Sequence, residues 1–232
     1  MDRVALMRRT DTKFVFNIEY LPKLLERALS NYFMVEIKDE REQLYETTYF
    51  DTNEYSMYHL HHNGKLNRQK VRLRKYIYSK QGFLEIKHKN NKGETIKKRV
   101  QHYNENISNN NATESLIEQF TPYNTDLLKP TLDNKFIRLT LVNKNYSERI
   151  TIDYKLQFFD RKHKLNAQNE SICIAEIKKE RENRTSPFIA YLKELGINSM
   201  GFSKYCMGMA LLNPDVKNNR FKERIRSISK IN

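Results

Sequence analysis

No stretch of this 232-residue sequence approaches the roughly 20 consecutive apolar residues that a membrane span needs. The opening MDRVALMRRTDTK has a charge at position 2 and no apolar run, so no secretory leader is expected. Cysteine is scarce. Cys173 and Cys206 are the only two, too few for a disulfide scaffold and in keeping with a reducing compartment. These absences predict a soluble, cytoplasmic protein. Acid is in short supply as well: 28 Asp plus Glu face 42 Lys plus Arg, leaving a formal charge of +14. Such an excess calls for a polyanionic partner. Nucleic acid is not the expected one, because RNP, helix-turn-helix and zinc-finger patterns are all missing. The fourteen tyrosines are also scattered, not interleaved with basic residues.

Alternation of strands with helices is missing too, which excludes a parallel βαβ sheet. Strand-like runs succeed one another at 43–52, 70–78, 83–89, 94–101, 135–143, 148–159 and 171–180, rich in β-branched and aromatic residues. Helical stripes cover 19–33, 111–120 with Thr113 as its cap, and 202–213. A further helix, 186–196, has Ser186 as cap, Pro187 at its first position and Gly196 as its stop. NENISNNN (104–111) reads as a polar loop insert, and the basic run from about 214 as a solvated tail. One domain over 1–232 is expected.

The strands share a pattern. One parity collects Arg72 and Arg74; Glu85, Lys87 and Lys89; Lys97 and Arg99; Arg138; Arg149 and Asp153; Glu176 and Lys178. The other collects Val71, Leu73, Leu84, Ile86, Ile137, Leu139, Ile150, Ile152 and Ile177, broken by Lys75, His88 and Lys98. A solvated outer face would mix Ser, Thr, Gln, Glu and Lys, whereas arginines recur here. If helices cover the apolar face from outside, the sheet can curl with its polar side inward. Two like charges about 5 Å apart repel by about 3 kcal/mol at an effective dielectric near 20. Cations gathered around such a lumen therefore call for an anion, and a chain of phosphates supplies many acceptors for Arg and Lys to clamp.

The ordered motifs R-x-D-x-K-F (9–14), T-Y-F-D-T (48–52), R-L-R-K-Y (72–76), E-I-K (85–87) and K-K-R (97–99) resemble the VTC domain. That domain belongs to the CYTH/triphosphate tunnel metalloenzyme superfamily and is the catalytic part of polyphosphate polymerases. R-x-T (138–140), E-R-I-T-I-D (148–153), A-E-I-K (175–178) and F-S-K-Y (202–205) continue the resemblance. It implies an α+β fold: a closed antiparallel barrel of about eight strands, with a cationic lumen and flanking helices. It also implies transfer of the γ-phosphoryl group of ATP to polyphosphate with Mn²⁺ or Mg²⁺. Carried over by position, Lys13, Arg72, Arg74, Lys87, Lys97, Arg138, Arg149 and Lys204 match the catalytic phosphate-binding cations. Arg9, Arg99, Lys178 and Ser203 match further ligand-binding positions, and Glu176 the metal-binding glutamate. One departure stands out: the family pattern places another basic residue near Met200–Gly201. The N-terminus also lacks the E-x-E-x-K of the superfamily's triphosphatases, with Asp11 alone acidic.

Other residues read as structural: Tyr49 and Asp51 as framework, Cys206 as core, and His59, His61 and His62 as a surface turn. Two rival activities remain open at this level, hydrolysis of triphosphate or short polyphosphate and non-catalytic binding of polyphosphate. The expected partners are ATP and polyphosphate. Peripheral association with an anionic membrane through the basic tail is a further expectation.

Overall fold

The computed structural model describes residues 9–92, 94–180 and 185–231. It is built around one antiparallel sheet of β1 (Arg9–Asn17), β3 (Gln43–Asp51), β4 (Arg68–Tyr76), β5 (Gln81–Lys89), β6 (Thr95–Gln101), β7 (Lys129–Asn143), β8 (Glu148–Asp160) and β10 (Ile172–Glu180). These run in the order β1-β10-β8-β7-β3-β4-β5-β6, with β2 (Tyr32–Met34) added to β7 and β9 (Asn166–Asn169) to β8. Among the described residues, six α-helices accompany it: α1 (Leu21–Ala28), α2 (Ser56–His62), α3 (Asn111–Phe120), α4 (Pro187–Glu194), α5 (Lys204–Leu212) and α6 (Asn219–Ser229).

The sheet is strongly curled. Five strand steps separate β10 from β5, about 24 Å in a flat layer. Nevertheless Lys87 of β5 interacts electrostatically with Glu176 and Lys178 of β10. The polar parity therefore faces into the curl and the apolar parity outward. Between the edge strands β1 and β6 no ladder forms among the described residues, so strand pairing leaves a half-barrel where a closed barrel was expected. β6 is exposed and charged along TIKKR, a composition that discourages further pairing at an edge. The β1 edge is partly covered instead: Met200 N–H donates to the Lys13 carbonyl at 2.8 Å, beside a bridge between Phe14 and Ser199.

Two apolar clusters hold the convex side. α1 and α4 pack Leu24, Ala28, Phe188 and Leu192 onto Phe14, Leu141, Ile152 and Ile177. Ile117 of α3 and Met57 of α2 pack on Val71, Leu73, Leu84 and Ile86. The breaks in this parity are absorbed locally, since Lys75 lies over the Tyr103 ring and Lys98 over Phe120. α5 lies on the other side, against Val15, Tyr49, Leu132, Phe136, Phe158 and Ile174 of the concave face. Gly208 permits this approach, because a Cβ there would sit 2.6 Å from Leu132 Cδ2 and 2.7 Å from Phe158 Cδ1.

Several local expectations change. The 19–33 helix stops at Ala28, and Tyr32 to Met34 pair with β7. Asn110, not Thr113, caps α3: its side chain accepts from the Ala112 and Thr113 amides, while the Thr113 hydroxyl donates to the Ile107 carbonyl. Residues 56–62 form α2, with Tyr58 and His62 buried, where a surface turn was read. The basic run beyond 214 contains α6, anchored by buried Phe221 and Ile228. β7 begins before Pro130, and a register shift between Tyr49 and Phe50 accommodates a residue with no N–H to donate.

Asp51 ties α2 and α5 to the sheet. Its fully buried carboxylate accepts from the Met57 and Tyr58 amides at 2.9 Å and from the Tyr205 hydroxyl at 2.5 Å. Replacing it by alanine orphans these donors together. Asp51→Ala is expected to lose about 3 kcal/mol in urea titration; a loss below about 1 kcal/mol would remove Asp51 from this role.

Candidate functional site: a cationic concave face

The chemistry begins with three carboxylates, each held between two cations. Glu85, fully buried on β5, accepts from Arg72 Nε at 2.8 Å and Nη2 at 2.6 Å, and from Lys97 Nζ at 2.5 Å. Asp153 of β8 takes a two-pronged bond from Arg138, 2.5 and 2.8 Å, and a short ion pair from Lys204. Glu176 of β10 pairs with Lys13 at 2.8 Å and Lys178 at 3.4 Å. The ladders create these pairings: Arg72 lies opposite Glu85, Arg138 opposite Asp153, and Lys13 opposite Glu176. Cross-strand neighbours of opposite charge are the unit from which such a face is assembled.

Each trio carries one net positive charge. Burial opposes ionisation of Glu85, but Arg72, Arg74 and Lys97 together hold its carboxyl below the usual range. The same contest leaves Asp153 at about 2 beside Arg138 and Lys204. Glu176 is held well down by Lys178, Lys13 and Lys87 despite its burial. All three remain ionised at neutral pH.

Among the described residues, Arg74 and Lys87 stand at the centre of the face but outside this pairing. Arg74 is buried, and among the described residues its Nε reaches only the Thr47 hydroxyl, at 3.3 Å; its guanidinium lies 5.4 Å from the Tyr45 ring centre and 5.7 Å from that of Phe136. Burial and the nearby charges of Arg72 and Arg138 lower its pKa. Lys87 has no hydrogen bond or ion pair among the described residues, and burial beside Arg72 pushes its ammonium well below the ordinary lysine range. Burial likewise brings Lys97 and Lys204 down to about 8, against the pull of Glu85 and Asp153 respectively. A face that destabilises its own positive charge is prepared for an anion.

The structure thus gathers Lys13, Arg72, Arg74, Lys87, Lys97, Arg138, Lys178, Lys204 and Glu176 on one surface. Arg149 stands opposite Lys178 in the ladder. Arg99, opposite Glu85 in the ladder, is exposed and stacks on Phe83 at 4.5 Å. Arg9 opens β1, but its side chain falls outside the described residues. Ser203 caps α5 by accepting from the Cys206 amide and also accepts from Lys70 Nζ at 2.8 Å. Lys70 was missed in the sequence, although K-V-R-L-R puts it on the parity of Arg72 and Arg74. Glu85 and Asp153 sit on that parity too, but their role as anchors depends on cross-strand register.

A divalent cation suits Glu176 only in part. Among the described residues no group of three or more His, Cys, Asp or Glu converges. A one-carboxylate position fits an ion that keeps water and takes its remaining ligands from phosphate oxygens, as Mg²⁺ commonly does.

Comparison with protein families matches the VTC domain over residues 8–213, and the chain belongs to that family. No curated protein sequence matches it. Among solved structures, a candidate adenylyl cyclase from Hippeastrum, described as having a dominant triphosphatase activity, is 15% identical with a TM-score of 0.56, covering 90% of this chain and 99% of that one. A candidate adenylate cyclase from Bacillus halodurans is 13% identical with a TM-score of 0.54, covering 84% and 94%. One from Vibrio parahaemolyticus is 10% identical with a TM-score of 0.50, covering 87% and 99%. At these identities the likeness is one of fold.

Two outcomes follow from the electrostatics. Glu85→Ala leaves Arg72 and Lys97 unpaired and should cost about 3–5 kcal/mol in urea titration. Glu46→Ala, which breaks an exposed pair with Lys135 at 3.3 Å, should cost less than about 1 kcal/mol; equal losses would contradict the ranking. Second, a bound polyanion raises the depressed lysine pKa values, so binding takes up protons above about pH 8. Calorimetry of tripolyphosphate binding in buffers of different ionisation enthalpy should show net proton uptake at pH 8.5, with affinity falling as pH rises further. Proton release would contradict it.

Proposed function

We propose that this domain is a polyphosphate polymerase that transfers the γ-phosphoryl group of ATP to the end of a polyphosphate chain held on the concave face. The observation that carries this reading is the pair of cations, buried Arg74 and half-buried Lys87, that have no carboxylate of their own among the described residues, beside three trios already in positive excess. Family membership supports the same phosphoryl chemistry.

Phosphoryl transfer asks a protein chiefly for alignment and charge neutralisation. Arg72 and Arg138 are fixed by Glu85 and Asp153, so their remaining N–H groups are pre-aimed and lose little freedom when phosphate binds. Arg74, Lys87 and Lys204 neutralise the triphosphate and acceptor. An oxygen of the terminal acceptor phosphate attacks the γ-phosphorus in line. The bond from that phosphorus to the β–γ bridging oxygen breaks, releasing ADP and a chain one phosphate longer. Glu176 would hold Mn²⁺ or Mg²⁺, which supplies further neutralisation of phosphate charge when bound.

Hydrolysis is the second reading, favoured by the triphosphatase activity described for the Hippeastrum protein. The carboxylates here argue against it. A water nucleophile gains most from a base titrating near the operating pH, whereas Glu85, Asp153 and Glu176 are all held strongly acidic. An acceptor phosphate is already anionic and needs no base. A cytoplasmic location, where ATP is available, is part of the proposal.

Incubation of the protein with ATP and Mn²⁺, with polyphosphate and free phosphate both assayed, separates the readings. Polymer is expected; free phosphate alone would establish hydrolysis. Arg74→Ala and Glu176→Ala should each lower turnover by at least about a hundredfold while circular dichroism shows the fold intact. A fully active Arg74→Ala would contradict the assignment.

A further inference from the structure

A second group of cations lies beside the first and draws on a helix outside the family match. Arg68 and Lys70 of β4, Lys89 of β5 and Arg224 of α6 all act electrostatically on the half-buried ring of His61 on α2. Residues 219–229 of α6 fall beyond the matched stretch 8–213. None of the four cations has a carboxylate partner among the described residues. Arg68 donates to the Lys65 carbonyl, Lys70 to Ser203, and Arg224 leans on the Phe221 ring at 5.9 Å. The His61 Nδ1 atom is buried without a hydrogen-bond partner. Burial and then Lys70, Arg68, Arg224 and Lys89 push His61 down to about 2, so the ring is neutral and adds no charge of its own.

This group is continuous with the central face, because Lys70 interacts electrostatically with Arg72 and Lys13. It also sits where the family pattern has a gap. The basic residue expected near Met200–Gly201 is absent, and the closest atom to a side chain built at Gly201 is Arg224 Nη2, at 3.8 Å. An arginine brought by α6 therefore occupies the neighbourhood that the missing residue would serve.

We propose that α6 completes the binding surface: Arg224, with Arg68, Lys70 and Lys89, takes a phosphate group of the polyphosphate chain where that chain leaves the central site. The proposal rests on the polyphosphate reading given above. It concerns binding alone, so an absence of polymer formation would leave its test intact. The central trios hold the triphosphate end of the ligand, and the α6 group holds phosphates further along. Long chains consequently bind more tightly than tripolyphosphate, and Arg224 contributes to that difference.

The test compares long-chain polyphosphate with inorganic tripolyphosphate by calorimetry, in wild type, Arg224→Ala and Arg226→Ala. Arg226 is exposed on the same helix and serves as control. Arg224→Ala should weaken long-chain binding about tenfold, the worth of one charged hydrogen bond, and leave tripolyphosphate binding unchanged. Arg226→Ala should change neither. Gly201→Lys added to Arg224→Ala should recover the lost affinity, since Gly201 has room for a side chain, and this rescue separates lost charge from lost folding. Equal affinity of wild type for the two ligands would overturn the proposal. So would unchanged long-chain binding in Arg224→Ala. Loss of binding to phosphatidylglycerol vesicles with polyphosphate affinity intact would assign the group to a lipid surface and overturn it too.

Discussion

Positive charge held in excess inside a folded surface is the constraint on which everything else in this structure depends. Water-exposed lysines repel weakly, but cations on the inside of a curled sheet lose much of their hydration and feel one another at higher strength. Glu85, Asp153 and Glu176 relieve part of the repulsion, each between two partners. They do not cancel it. The stability that tolerates the remainder comes from the other side of the sheet, where α1, α3 and α4 cover two apolar clusters. Non-directional apolar burial thus supports a directional polar face, and it can do so because strand side chains alternate.

The same carboxylates set what the surface can do. Each fixes an arginine or lysine in position, which lowers the ordering cost of binding an anion. Each is also too acidic to act as a base near neutral pH, so the face suits a nucleophile that arrives already ionised. A phosphate chain meets that requirement and offers acceptors at regular intervals to cations on several strands. The α6 group extends the same logic past the edge of the family pattern: when a residue is missing from one element, a neighbouring element brings its charge to the same place.

Much of this was legible in the sequence because a period of two is a geometric fact about strands. Alternation in 71–74, 84–87 and 149–153 assigned inward and outward residues correctly. The Ser186–Pro187–Gly196 signature likewise marked α4, with the Ser186 hydroxyl accepting from the Ile189 amide. What stayed hidden was non-local. α2 has no side-chain cap within its own first turn; its amides are met by Asp51, further back along the chain. Its histidines therefore read as a polar turn. Tyr32 continued a helical stripe in sequence yet is recruited to β7, because pairing with Asn143 outweighs local propensity. The carboxylate anchors depended on register between strands, and the α6 contribution on a contact between segments far apart in the chain.

The most direct measurement is a crystal structure of the protein with tripolyphosphate and Mn²⁺. The account predicts phosphate oxygens within hydrogen-bond distance of Arg74 and Lys87, with Arg72 and Arg138 still paired to Glu85 and Asp153. Phosphate density confined to exposed lysines on the convex side, with the concave face holding only water, would contradict it.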